Sequence, residues 1–109
     1  MTTTNLLAQM RQQVSKLYSQ EVQTKIERER DEAKRKAFVN QRKYYDDCLH
    51  KLEVQNLERI SAKMKPLEPE LNRAITSLNN ALQSVQNTVN IISNISSVSS
   101  LIARILPMI

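Results

Sequence analysis

Not one glycine occurs in the 109 residues of the chain, and that absence constrains the fold more than any residue that is present. Tight turns with positive φ, bulges and hairpin connections draw on glycine, which enters left-handed backbone at little steric cost. A β-rich or α/β fold of this length needs several such turns, and asparagine would have to supply them all. The expectation is an all-α protein with very few turns. The same absence removes phosphate-cradling loops, dinucleotide fingerprints and nucleophile elbows, whose backbone must approach a ligand closely.

Proline punctuates the chain at Pro66, Pro69 and Pro107. From about residue 5 to residue 65 neither proline nor glycine intervenes, and the segment is rich in good helix formers. Acids precede bases by four residues at Glu21 and Lys25, Asp31 and Arg35, Glu32 and Lys36, and Asp47 and Lys51, a spacing that supports a helix. Unbroken, this helix would be about 90 Å long, which demands a partner along its length. Pro66 and Pro69 disfavour helical angles at the residue before each, so a chain reversal is expected at 66–69 and a second helix over about 69–106. The predicted architecture is a long two-helix hairpin, coiled-coil-like, forming a single helical domain over residues 1–109 that assembles into a multi-helix bundle.

The second helix carries a four-three repeat through Leu71, Ile75, Leu78, Leu82, Val85, Val89 and Ile92, the spacing of a heptad seam. A second, offset seam begins at Ile91 and passes through Ile95, Val98, Ile102 and Ile105. Leu71, Ile75, Leu78, Leu82, Val85, Val89, Ile92, Ile95, Val98 and Ile102 are therefore the expected helix–helix interface. Folding the second helix back covers only the later half of the first. The N-terminal stripe of Leu7, Met10, Val14 and Leu17 is left over as the expected handle for association, because two helices alone bury little core.

Charge is distributed unevenly. The net charge is +5, from 16 Lys and Arg against 11 Asp and Glu. Every acid lies at or before Glu70, and Arg104 is the one base beyond Arg73. Ala74 to Ala103 are 30 consecutive residues without charge, 16 of them Ser, Thr, Asn or Gln. Ser and Asn are poorer helix formers than Lys and Glu, but a neutral side chain costs less to desolvate than an ion. This helix is therefore read as meeting protein or lipid, with protein ranked first because so many polar groups would not partition stably into hydrocarbon.

Little in the chain points to chemistry. With one Cys and one His, no zinc site of ordinary ligand count and no intramolecular disulfide can form. Cys48 and His50 are two residues apart, on roughly opposite sides of a helix, so they cannot act as a nucleophile pair. Cys48 reads as a small buried hydrophobe. Asp47 and His50 approach the spacing of a di-iron motif, yet no inward Glu on the second helix completes the set. No catalytic residue, metal ligand or cofactor is assigned, and the chain is read as not an enzyme. Lys34, Arg35, Lys36, Arg42 and Lys43, followed by Tyr44 and Tyr45, form a candidate anion-binding set. Acids flank them at Asp31, Glu32, Asp46 and Asp47, so a salt-bridged wet face is the simpler reading and nucleic acid ranks last among partners.

The functional expectation is a non-enzymatic helical assembly protein that self-associates or packs with other helical subunits through its heptad seams. The alternative is a membrane-active or secretion- or virion-type subunit whose uncharged second helix contacts lipid or lines an assembly. The second alternative is a basic-helix binder of nucleic acid or anionic surfaces. The N-terminus lacks the pattern of a secretory signal, and no run of 18 apolar residues occurs. Cytoplasmic placement is the default expectation, with membrane association or signal-independent export as the alternative.

Overall fold

Four of the described helix starts are set by short polar side chains. The computed structural model describes residues 3–83 and 87–108, in which six α-helices follow one another without a strand: α1 (Thr3–Leu17), α2 (Gln20–Glu27), α3 (Glu32–Glu53), α4 (Leu57–Met64), α5 (Glu68–Gln83) and α6 (Thr88–Ile105). Short 3₁₀ turns, Lys65–Leu67 and Leu106–Met108, join α4 to α5 and extend α6. Ser19 accepts from the N–H of Val22, Asp31 from Ala33 and Lys34, Asn56 from Glu58 and Arg59, and Asn87 from Asn90. Each cap satisfies donors that a new helix would otherwise leave open.

The all-α class is as expected, and the helix boundaries are not. The single helix expected over about 5–65 is four helices, α1 to α4. Glycine proves dispensable for the breaks. At the ends of α2 and α3, Arg28 (φ −83°, ψ −10°) and Val54 (φ −86°, ψ −2°) keep right-handed angles, and the chain then goes extended at Asp31 (φ −79°, ψ 110°) and Asn56 (φ −63°, ψ 128°). No described residue has positive φ. Any L-residue adopts these conformations, so a lack of glycine does not limit the number of turns made this way.

The reversal expected at 66–69 is absent. Lys65 (φ −52°, ψ −47°) and Glu68 (φ −54°, ψ −47°), the residues before the two prolines, stay helical. Pro66 sits at the start of the 3₁₀ turn. Pro69 is the second residue of α5, where an N–H would have no intrahelical acceptor. Helices α4 and α5 thus run on through the turn as one rod over 57–83, about 40 Å long at helical rise. That length accounts for the 44 Å long axis of a molecule only 21 by 20 Å across.

Four rods make the bundle: α1 with α2, α3, α4 with α5, and α6. α1 and α6 each pack against both α3 and α5, closing a ring. Arg42 bonds to Leu17 and Gln23, so α3 is antiparallel to the first rod. Gln13 meets Ile75 and Asn79, while Arg104 meets Glu70 at the opposite end of α6 from Thr88, which meets Glu29. α5 is therefore parallel to α1, α6 is antiparallel to α5, and the link from α3 to α4 crosses the diagonal.

The core records where the seams lead. Leu71, Ile75, Leu78 and Leu82 are buried, as are Ile91, Ile95, Val98, Ile102 and Ile105. Val85 lies outside the described residues. Val89 is exposed and leaves the expected interface, whereas Ile92 is half-buried and packs against the core. The offset between the seams marks a new helix: α6 is capped by Asn87 and starts at Thr88 with its own rotation, not bound to the phase of α5. Met10, Val14 and Leu17 are buried in the chain's own core, with Leu7 packed at its edge. They are not a spare handle, because the broken first helix folds back and α3 and α5 cover them.

Candidate functional site

Ionic and polar contacts on the α1 side lock the bundle together. Arg11 donates from Nη1 to Asp46 Oδ1 at 2.9 Å and from Nε to Glu53 Oε2 at 3.1 Å, with Nη2 on the second Glu53 oxygen. The hydrogen bond to Glu53 raises the Arg11 pKa above its ordinary value, against a smaller opposing effect of burial. Inside, Gln13 joins three helices. Its Nε2 donates to the Ile75 carbonyl at 2.7 Å and to Asn79 Oδ1 at 2.9 Å, and its Oε1 accepts from Tyr45 Oη at 2.7 Å. Burial pushes the Tyr45 phenol far above its usual range, so it stays a neutral donor.

The five basic candidates do not form one patch. Arg42 is buried and donates to the Leu17 carbonyl at 3.2 Å and to Gln23 Oε1 at 2.8 Å. Its guanidinium lies 4.4 Å from the ring centre of Tyr18 and 5.4 Å from that of Phe38. It closes the C-terminal end of α1, where carbonyls are open and a cation is favourable. Arg35 donates to the Glu29 carbonyl, and Lys36 pairs with Glu32 at 3.2 Å. Lys34 and Lys43 remain exposed. Arg42 is thus withdrawn from any anion site, because its spacing from Phe38, Tyr45 and Leu49 places it on the inner face of α3.

Sequence reasoning missed Gln13 and Arg42 as structural residues. Both carried a signal, since each falls on an inward spacing: Met10, Gln13, Val14, Leu17 and Phe38, Arg42, Tyr45, Leu49. Among the chemically suggestive residues, Cys48 is a buried free thiol, Asp46 is engaged by Arg11, and Asp47 and His50 are exposed. Glu21 and Glu29 have pKa values lowered by hydrogen bonds, from Lys16 and Thr88 respectively. Among the described residues no group of three His, Cys, Asp or Glu could hold a metal ion.

What remains is the outer face of α5 and α6. These helices are neighbours, so the exposed, uncharged residues of the two lie beside one another. Ser77 and Asn80 on α5 and Asn90, Ser93, Ser97 and Ser100 on α6 are exposed. Charge returns at the ends, where Arg104 reaches Glu70 across the two helices at 3.6 Å and where Glu29 accepts from Thr88 at the start of α6. α6 with its terminal turn, Thr88–Met108, is the one described helix long and apolar enough to cross a membrane by length and composition, with a mean hydropathy of 1.4. No contiguous apolar run announces it, because Ser and Asn are interspersed, and 39% of that window is buried in the bundle. Comparison with protein-family models, with curated proteins and with solved structures finds no match, so the chain's own geometry carries the functional reading.

Proposed function

We propose that this chain is a non-enzymatic interaction protein, a helical bundle that docks helical partners or its own copies on the outer face of α5 and α6. The observation that carries the reading is that the exposed residues of an uncharged stretch, among them Ser77, Asn80, Asn90, Ser93, Ser97 and Ser100, lie on two neighbouring helices, with charged side chains at the ends of these helices. A wet face usually carries Lys and Glu, which favour helix and keep a protein soluble. Ser and Asn give up both advantages and gain low desolvation cost when covered. The heptad seams serve the chain's own core in this reading, and partners meet the surface outside them. A photo-crosslinking residue at Ser97 or Asn80, expressed in the native cell, is expected to give protein adducts that the same residue at Lys43 on α3 does not. Equal yields at all three sites, or none, would defeat the proposal.

The apolar composition of α6 favours a second reading, in which this helix contacts lipid. The 21 residues of Thr88–Met108 would span about 31 Å, close to the hydrocarbon thickness of a bilayer. The chain has no Trp, so Val89→Trp gives a single reporter on an exposed site. Quenching of its fluorescence by vesicles of brominated phosphatidylcholine and phosphatidylglycerol is expected if α6 enters lipid, and an unquenched signal removes this reading.

A further inference from the structure

Resting on the protein-docking reading, we infer that the occupant of the α5–α6 face is a second copy of this chain, related by a two-fold axis beside Ser97 with the two α6 helices antiparallel. Asn90, Ser93, Ser97, Ser100 and Arg104 are all exposed and step by three and four, so they share one strip of α6. A two-fold contact sets each residue near the axis against its own copy, where any charge would meet its like. On a chain of net charge +5, this face is where self-contact meets no such repulsion. A foreign partner is commonly selected by complementary charge. The centre of this strip has no charge to select one with, and an identical neutral strip needs none.

Arg104 sets the direction. In an antiparallel pair centred on Ser97, Arg104 lies opposite Asn90 of the second copy, and the two Arg104 side chains root about 21 Å apart along the helices. That exceeds the screening length of about 8 Å at physiological salt. A parallel pair would set them side by side. Area is adequate for a reversible dimer: α6 is about 27 Å long and two packed helices are about 20 Å wide, so each copy covers roughly 500 Å². The total of about 1,000 Å² is at the lower bound for a specific interface, the size of weak, reversible contacts, and a micromolar dissociation constant is the outcome expected here.

Sedimentation equilibrium on the full chain tests the inference, with Ser97→Lys and Ser97→Asp as variants at an exposed site and circular dichroism as the check on folding. The wild type is expected to dimerise reversibly. Either variant alone should raise the dissociation constant at least about tenfold, and an equal mixture of the two should restore association, since opposite charges then meet on the axis. A wild type that stays monomeric at about 100 μM, well above a micromolar dissociation constant, would overturn the second copy as occupant. It would leave the docking reading to the cross-linking test. A dimer unaffected by both variants would also overturn the inference, and would place self-association on another face.

Discussion

Tyr45 hands its phenolic hydrogen to Gln13 across the interface of α3 and α1, oxygen to oxygen at 2.7 Å, with both side chains buried. Tyr45→Phe keeps the ring and strands the Gln13 oxygen, so it should cost about 1–3 kcal/mol in urea unfolding. Gln13→Leu removes the acceptor and both donated bonds at once, and should cost at least as much. A Tyr45→Phe protein as stable as wild type would mean that water reaches Gln13.

Arg42 is buried with its Nε lacking a partner, and no carboxylate stands within ion-pair distance of it among the described residues. Burying a cation without a counterion is costly, and apolar side chains of similar volume often replace such groups without loss. Arg42→Met, which keeps a long stem between Tyr18 and Phe38, should therefore be more stable than Arg42→Ala by at least about 1 kcal/mol, since Ala leaves a cavity. Thermal unfolding of the pair checks the order.

The two apolar phases of α6 separate by mutation. Ile95→Ala falls in the core and should destabilise by about 2–5 kcal/mol. Val89→Ser, at the exposed position of the first four-three repeat, should change stability by no more than about 0.5 kcal/mol. Equal effects in chemical denaturation would mean that the heptad phase of α5 continues into α6.

Glu29 accepts from the Thr88 hydroxyl at 2.9 Å and ties the link between α2 and α3 to the first turn of α6. This bond, with one from the Asp31 backbone, lowers the Glu29 pKa. Because the folded value is below the unfolded one, the tie is present in full above the ordinary carboxylate value of about 4.3 and is lost as pH falls through the lower folded value. Hydrogen-exchange protection at the start of α6 should drop over that acid range, and Glu29→Gln should abolish the dependence. A wild-type profile that stays flat through the carboxylate range would refute the coupling.

Much of the fold could be read locally. The all-α class follows from composition and period, and the inward faces of α5 and α6 follow from their four-three spacing. The helix breaks were also written locally, in Ser19, Asp31, Asn56 and Asn87, but good helix formers around them obscured the signal. Those caps compete with helix continuation by a kilocalorie or so each. Packing decides the outcome, because a 90 Å rod would leave its apolar stripe wet and four shorter rods bury it. Pro66 and Pro69 misled for the complementary reason: a proline costs little where the helix has no acceptor to lose, and whether such a point exists depends on the 3₁₀ turn that joins α4 to α5.

Taken alone, the sequence determined that this protein is helical, that charge stops at Arg73 and resumes only at Arg104, and which residues of each helix seek burial. These are properties of composition and period, which need no neighbour to be read. The tertiary structure decided which helices are adjacent. Adjacency turned Met10, Val14 and Leu17 from a spare stripe into core, drew Arg42 out of a basic patch into the end of α1, and joined the neutral flanks of α5 and α6 into one face. The physical reason is that burial and charge clustering are relations between elements distant in sequence, set by the total apolar area the whole chain can cover.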